Sequence, residues 1–298
     1  MAPVEPLITL RPAQPASGTS GPDHSGSGPA DNPGTVSADD LRRIARLTRR
    51  LKRRIAALLE LSPRQRVLDV GCGTGADAAA VGARVGPSGR AFGIDYDASM
   101  IRDARRAIAG QPLAPALLVA DAAALPYRAA CFDACYSERV LQHVARPAAV
   151  VAEMVRVTRR GGRIVIADTD WASLSIDAPD AQLERRLVGF VAESLRNGYA
   201  GRQLRRLMRN AGVTDVRLDL WPVVWTDYGQ FCATSLSLLD MHRRAEAAGV
   251  VSRADLARMH QSWIDADRDG VFFASGTIVV AYGRCPGEPP AEQVLQEE

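Results

Sequence analysis

The sequence predicts an α/β fold: a seven-stranded, mostly parallel sheet with helices on both faces and a helical insertion before the last strand. Three observations carry that expectation. Short apolar runs alternate with helical stretches between residues 66 and 168, the rhythm of parallel strands joined by crossover helices. The first run ends in a glycine-rich turn that opens a helix. Finally, 298 residues with 47% apolar and 24% charged side chains suffice for one large domain with a sizeable core.

The elements follow in order. Residues 1–37 are rich in Pro, Gly and Ser and hold hardly a large apolar side chain after Leu10. They cannot offset the entropy of ordering and read as a disordered tail. Ser37, with Asp39 and Asp40 behind it, has the form of a helix N-cap with acids in the first turn. From there Ile44, Leu47, Leu51, Ile55, Leu58 and Leu59 recur at helical spacing among eight basic residues from Arg42 to Arg54. Residues 38–60 are therefore expected as an amphipathic helix, packed on the next domain or turning its basic face to a membrane surface or an acidic partner. The main domain, 61–283, then opens with strand 66–70 and helix 75–85. Strand 89–95, helix 98–108, strand 114–121, strand 131–137, helix 147–158 and strand 161–168 continue the alternation. After Asp168 the rhythm changes: helices at 180–196 and 201–211, a strand at 213–220, helical stretches at 227–248 and 252–266, and a last strand at 272–283. The segment 227–266 reads as a lid-like insertion and 284–298 as a flexible tail.

Charge and cysteine usage exclude several classes. A net charge of +3 does not by itself imply nucleic acid or membrane binding. The 37 basic residues are 36 arginines and the single Lys52, read as a compositional bias. Five cysteines, an odd number, argue against a disulfide framework and for a reducing, cytoplasmic setting. No apolar run has the length of a membrane span, and MAPVEPLITLRP lacks the basic and apolar parts of a secretory signal.

The chemistry concentrates at strand ends. In VLDVGCGTG (67–75) a buried strand runs into Gly71, Gly73 and Gly75, which permit tight angles and close approach of a ligand to the main chain. The loop alone also fits a loose dinucleotide pattern. However, Asp69 sits at the end of the first strand, Asp95 ends the second 20 residues beyond Gly75, and Asp121 ends the third. A pyrophosphate would be repelled by that ring of acids, whereas a cationic sulfonium nucleoside would not.

With these residues the sequence resembles the class I S-adenosylmethionine-dependent methyltransferases, densely over 62–168 and more loosely to 283. The resemblance implies a Rossmann-like fold, S-adenosylmethionine as cofactor, leaving as S-adenosylhomocysteine, and a capping role over the active site for helix 38–60. By position it implies Asp69, Gly71, Cys72 and Gly73 against the methionine moiety, with Cys72 as filler of the loop. It further implies Asp95 at the ribose, Tyr96 at the adenine ring, Asp121 at the adenine amino group with Ala122 stacked nearby, and Ser137 bordering the methionine. VTRRGGRIVIAD (157–168) is similar to the small-molecule branch, which includes menaquinone and ubiquinone methyltransferases and natural-product enzymes. Ser137-Glu138-Arg139 stands where nucleic-acid amino-methylating enzymes carry an Asn/Asp-Pro-Pro-aromatic motif, which disfavours a nucleic acid as partner.

The expected activity is methyl transfer to a small-molecule acceptor, secondary-metabolite or quinone-like. The alternatives are a non-methylating reaction on the same fold, such as a cyclisation, and a tRNA or protein methyltransferase. Acceptor-side candidates lie beyond the fourth and fifth strands: Gln142 and His143, Asp168, Asp170 and Trp171. His143, in an LQHV segment expected as a helix after the fourth strand, and Asp170 are the candidate general bases, beside the option that no dedicated base exists. Trp171, Gln142, Trp225 and Tyr228 are the candidate acceptor contacts, Trp225 and Tyr228 forming with Trp221 and Phe231 either a pocket wall or corner packing. DADRDG (265–270) starts like a calcium loop but has Gly276 where a bidentate glutamate belongs, so an acidic turn is expected and no metal is called for. Cys131 and Cys135 read as small buried hydrophobes. The oligomeric state, a homodimer among the options, is left open.

Overall fold

The structure, a computed structural model, describes residues 48–234 and 238–287. The expected disordered tail 1–37, the start of the capping helix at 38–47 and most of the C-terminal tail, 288–298, lie outside the described residues.

The described chain begins with helix α1 (Arg49–Leu58), followed by β1 (Arg66–Val70), α2 (Ala76–Val85), β2 (Arg90–Asp95), α3 (Ala98–Ala107) and β3 (Ala116–Val119). Next come β4 (Phe132–Glu138), a 3-10 turn (Leu141–His143), α4 (Pro147–Val157) and β5 (Thr158–Ile176). Helices α5 (Ala181–Ser194) and α6 (Ala200–Asn210) lead to β6 (Thr214–Trp225). Then α7 (Tyr228–Thr234), α8 (Leu238–Ala247) and α9 (Arg253–Arg268) precede β7 (Ala274–Arg284).

The seven strands form one sheet in the order β3-β2-β1-β4-β5-β7-β6. The first five pair in parallel, and β7 runs antiparallel to both β5 and β6. This is the mostly parallel sheet that the strand–helix alternation predicts. The strand order reverses at β1, and the crevice beyond the strand ends there is where open α/β sheets bind ligands.

Alternation within the central strands divides two cores. Leu68, Val70, Ile164 and Ile166 pack with α4 and α6 on one face. Val67, Val165 and Ala167 pack with Leu51, Ile55 and Leu58 of α1 on the other. A third cluster, with Trp171, Leu174, Trp225, Phe231, Trp263 and Phe272, lies under the late helices. Local chemistry starts the helices where expected: Asp97, Asp180 and Ser252 cap α3, α5 and α9 through side-chain oxygens, and Pro147 opens α4.

Four expectations need correction. β5 does not stop at Asp168: it follows β7 to Ile176, so Trp171 lies within the strand rather than after it. β6 likewise runs on to Trp225 because β7 gives it a partner along its whole length. The LQH segment is a 3-10 turn and not a helix, since the Asp168 carboxylate accepts from the N–H groups of Leu141 (2.7 Å) and Gln142 (3.4 Å) and fixes the tight turn. The stretch 227–248 contains two helices, α7 and α8. In addition, β7 reaches Arg284 and Cys285 is buried, so the fold extends into the stretch expected as tail. Most of DADRDG is the last turn of α9, and no group of three ligating side chains occurs among the described residues.

Candidate functional site

The glycine loop closes β1 against β2. Gly71 and Cys72 N–H groups both donate to the Ile94 carbonyl at 2.8 Å. Gly71, Gly73 and Gly75 have φ of +79°, +48° and +71°, the left-handed region that side chains disfavour. A Cβ on Gly71 would lie 2.2 Å from Val140 Cγ2, so backbone conformation and space both demand glycine there. Cys72 turns its side chain away, into a cluster with Ala78, Ile101 and Leu117, over a Gly93 that leaves room for it.

Asp95 stands at the end of β2 with both oxygens committed to main chain. Oδ2 accepts from Gly73 N–H at 2.9 Å and Oδ1 from Asp97 N–H at 3.0 Å. Burial pushes its pKa above the usual carboxylate value, against backbone bonds from Asp97, Gly73 and Tyr96. A carboxylate offers about four acceptor sites, so acceptor capacity remains. Tyr96 is 66% exposed beside it. Asp121 is exposed and accepts from Ala123 N–H at 2.8 Å, while Ala122 is buried. Ser137, at the end of β4, is fully buried and its hydroxyl has no hydrogen-bond partner among the described residues. Asp69 does not face this crevice's rim openly: it is buried, takes the Tyr136 hydroxyl at 2.7 Å, and burial, with Asp77 adding, drives its pKa well up.

A cavity adjoins the ends of β4 and β5. Its apolar walls are Trp171, Leu174, Val223, Trp225 and Ile278, and its polar lining includes Gln142, Thr169, Asp170, Thr277, Arg139 and Thr48. Gln142 is the hub of the polar side. Its Oε1 accepts from Trp171 Nε1 at 2.7 Å, and its Nε2 lies 2.9 Å from His143 Nε2. Because Gln142 Oε1 takes the indole N–H, its amide nitrogen is the donor to His143, which places the imidazole proton on Nδ1.

Burial pulls His143 down to about 4, with Arg139 and Arg196 adding to the effect. A neutral imidazole with its Nε2 lone pair occupied is a weak base, so the structure speaks against the base role expected for His143. Asp170 Oδ2 accepts from Arg202 Nε at 2.8 Å, while its buried Oδ1 has no partner. Asp168, pushed by burial up to about 7, is spent on capping the 3-10 turn. The aromatic group of the insertion splits. Trp225 lines the cavity and packs edge-on against Phe231, with centroids 5.3 Å apart. Trp221 packs toward α1, and Tyr228 hydrogen-bonds His260 at 3.0 Å in the core of the insertion, away from the cavity lining.

Two residues escaped the sequence reading. Arg139 lines the cavity with φ +56°, and Lys52 bridges three elements. Nothing local marks either; only the single lysine among so many arginines was a signal.

An open sheet with a glycine loop and an acid-tipped second strand beside an apolar cavity defines a nucleoside-cofactor crevice of the Rossmann-like type. A methyltransferase domain model matches residues 68–166. The chain is 32% identical over 188 residues to the O-methyltransferase resE of Aspergillus sclerotiorum, spanning 59% of this chain and 67% of that one. It is 38% identical over 223 residues to an uncharacterised 37.1 kDa protein of transposon TN4556 from Streptomyces fradiae, spanning 74% of this chain and 63% of that one. It is also similar, at 28% over 169 residues, to the ubiquinone/menaquinone biosynthesis C-methyltransferase UbiE of Bordetella parapertussis, of which it spans 66%. The alignment thus spans a little under two thirds of these last two relatives. Among solved structures, a putative methyltransferase from Bacillus halodurans shares the fold with a TM-score of 0.57 at 17% identity, over 79% of this chain and 98% of that one. The [4+2]-cyclase SpnF shares it at 0.51 and 21% identity, over 80% of each chain. The chain belongs to the class I S-adenosylmethionine-dependent methyltransferases.

Proposed function

We propose that this chain transfers a methyl group from S-adenosylmethionine to a small, largely apolar acceptor. The observation that carries the reading is the contact that joins two spaces: Val140, packed on Gly71 of the glycine loop, directly follows Arg139 in the lining of the cavity walled by Trp171, Trp225 and Leu174. The crevice residues fit the cofactor. Three positive-φ glycines keep the loop free of side chains, Asp95 keeps acceptor capacity for ribose hydroxyls, and the orphaned Ser137 hydroxyl awaits a polar neighbour at the methionine end. Asp121 and Tyr96 stand at the adenine side, with Ala122 beneath. When bound, the cofactor supplies an electrophilic methyl on a sulfonium leaving group.

The chain's own task is alignment and proton removal. Trp171 is held rigid by Gln142, and with Trp225 it forms a flat apolar wall that orients the acceptor and excludes water. Asp170 is the acid whose unpartnered Oδ1 takes the acceptor's hydrogen bond and then its proton. Arg202 on Oδ2 fixes the orientation of that carboxylate. His143 acts through Gln142 by orienting its amide. The homology to O- and C-methyltransferases supports an oxygen or activated carbon acceptor. Five cysteines without a disulfide support a reducing, cytoplasmic setting, and no helix among the described residues is long and apolar enough to cross a membrane.

The test is incubation of the full chain with methyl-labelled S-adenosylmethionine and an extract of small molecules from the source organism, followed by mass spectrometry. A product heavier by one methyl, with turnover lowered about 10²–10⁴-fold in Asp170→Asn, supports the reading. A product isomeric with its substrate establishes the cyclase-type alternative instead. Near-normal turnover in Asp170→Asn removes Asp170 as base.

A further inference from the structure

We infer that Lys52 is a positioning residue that latches the N-terminal half of α1 across both halves of the site. Its Nζ donates to Glu138 Oε2 at 3.0 Å and pairs with Asp77 Oδ2. Asp77 stands in the first turn of α2, directly behind the glycine loop. Glu138 ends β4, and its other oxygen takes Nη2 of Arg139 at 3.1 Å and Nε at 3.2 Å. The chain Asp77–Lys52–Glu138–Arg139 therefore runs from the cofactor loop to a wall of the acceptor cavity, with α1 as its middle link. Thr48, one turn before Lys52, lines that cavity. The inference rests on the reading of crevice and cavity given above.

Three further observations point the same way. The side chains of Glu138 and Lys52 are 8% and 20% exposed, so both charges are largely withdrawn from bulk water, while Asp77 stays more open. Two further polar ties of α1 among the described residues lie elsewhere. Leu58 carbonyl accepts from Arg163 Nε at 3.1 Å at the C-terminal end, and Arg54 pairs with Asp219 at the surface, where such pairs contribute little. Finally, 36 of the 37 basic residues are arginine, yet the one lysine stands where carboxylates from two elements converge. A compact ammonium with three donors serves both, whereas a guanidinium fork matches one carboxylate bidentately. Loss of the ammonium leaves the N-terminal half of α1 held by the packing of Leu51 and Ile55, so that it opens more often from crevice and cavity together.

Hydrogen exchange read by mass spectrometry tests this on the full chain, comparing wild type, Lys52→Met and, as a control on the same helix, Arg53→Met. Alongside it, S-adenosylhomocysteine binding is measured calorimetrically. In Lys52→Met the amides of 52–58 should exchange at least about tenfold faster and the ligand should bind about tenfold more weakly. The amides of β1, β2 and β7 should keep their protection, and Arg53→Met should match wild type. Unchanged α1 exchange in Lys52→Met overturns the latch, as does an equal loss of protection across the sheet, which a general destabilisation would give. If Lys52→Met does not fold, Asp77→Asn decides: it removes one partner only and should speed α1 exchange about threefold, and no change overturns the proposal. Should wild type itself not bind S-adenosylhomocysteine, the cofactor reading fails, while the exchange comparison still decides the latch.

Discussion

Replacing Gly71 by alanine tests whether the glycine loop is built as described. The new Cβ would sit 2.2 Å from Val140 Cγ2 and 3.2 Å from both Cβ and Cγ1 of that residue, at a φ of +79°. Val140 is β-branched and stiff about χ1, so rotation offers little relief. A non-glycine residue in the left-handed region costs about 1–2 kcal/mol, and overpacking costs about 1–3 kcal/mol. The sum of about 2–5 kcal/mol corresponds to a fall in Tm of roughly 5–15 °C for a domain of this size. Thermal unfolding of four chains separates the two causes: wild type, Gly71→Ala, Val140→Ala and the double variant. Truncating Val140 removes the clashing methyl groups but not the backbone strain, so the double variant should be more stable than the sum of the single effects by about 1–3 kcal/mol. Strict additivity, or a Gly71→Ala chain as stable as wild type, would refute the packing of this loop against the segment after β4.

Three further outcomes are expected. Asp95→Ala should weaken S-adenosylhomocysteine binding by about 2–4 kcal/mol, the loss of hydrogen bonds from two hydroxyls to a charged acceptor; unchanged affinity by calorimetry would overturn the ribose assignment. His143, held near 4 in the fold against 6.5 unfolded, lets the unfolded chain bind its proton first, so this group's contribution to stability falls as pH drops from 6.5 toward 4. His143→Gln should therefore flatten the acid limb of the stability curve by up to about 1.4 kcal/mol per pH unit in that window, and an unaltered slope, or an imidazole titrating above pH 6 by NMR, contradicts its burial. Asp168, raised to about 7, works in the opposite sense and is common to both chains. Trp171→Phe removes the donor to Gln142 Oε1 and should cost about 1–3 kcal/mol, the penalty of a buried acceptor left unpaired; urea unfolding with an unchanged midpoint would show the bond to be unimportant.

The parallel half of the fold was legible because its signals are local. VLDV is a strand by composition, and the glycines that follow it mark a tight turn into a helix. What followed Asp168 was harder, since β5 and β6 owe their length to pairing with β7, which begins 98 residues after β5 ends. Trp171 was placed beyond the fifth strand for that reason, whereas it lies within β5 and lines the cavity. His143 had the right residue type for a base, but its environment is tertiary: the amide of Gln142 and the burial that lowers it are invisible along the chain. Tyr228 belongs to a hydrogen-bonded chain with His260 and His242 that no spacing rule reveals. Lys52 looked like one more charge on a basic helix face, and only the convergence of Asp77 and Glu138 gives it a task.

The central claim is that the space beyond β1 and β2 holds an adenosyl sulfonium cofactor. Calorimetric titration of the full wild-type chain with S-adenosylhomocysteine tests it most directly, with a thermal shift on the same sample as the check. The account predicts saturable binding of one ligand per chain and a Tm that rises with ligand concentration. No heat of binding together with an unmoved Tm would contradict it.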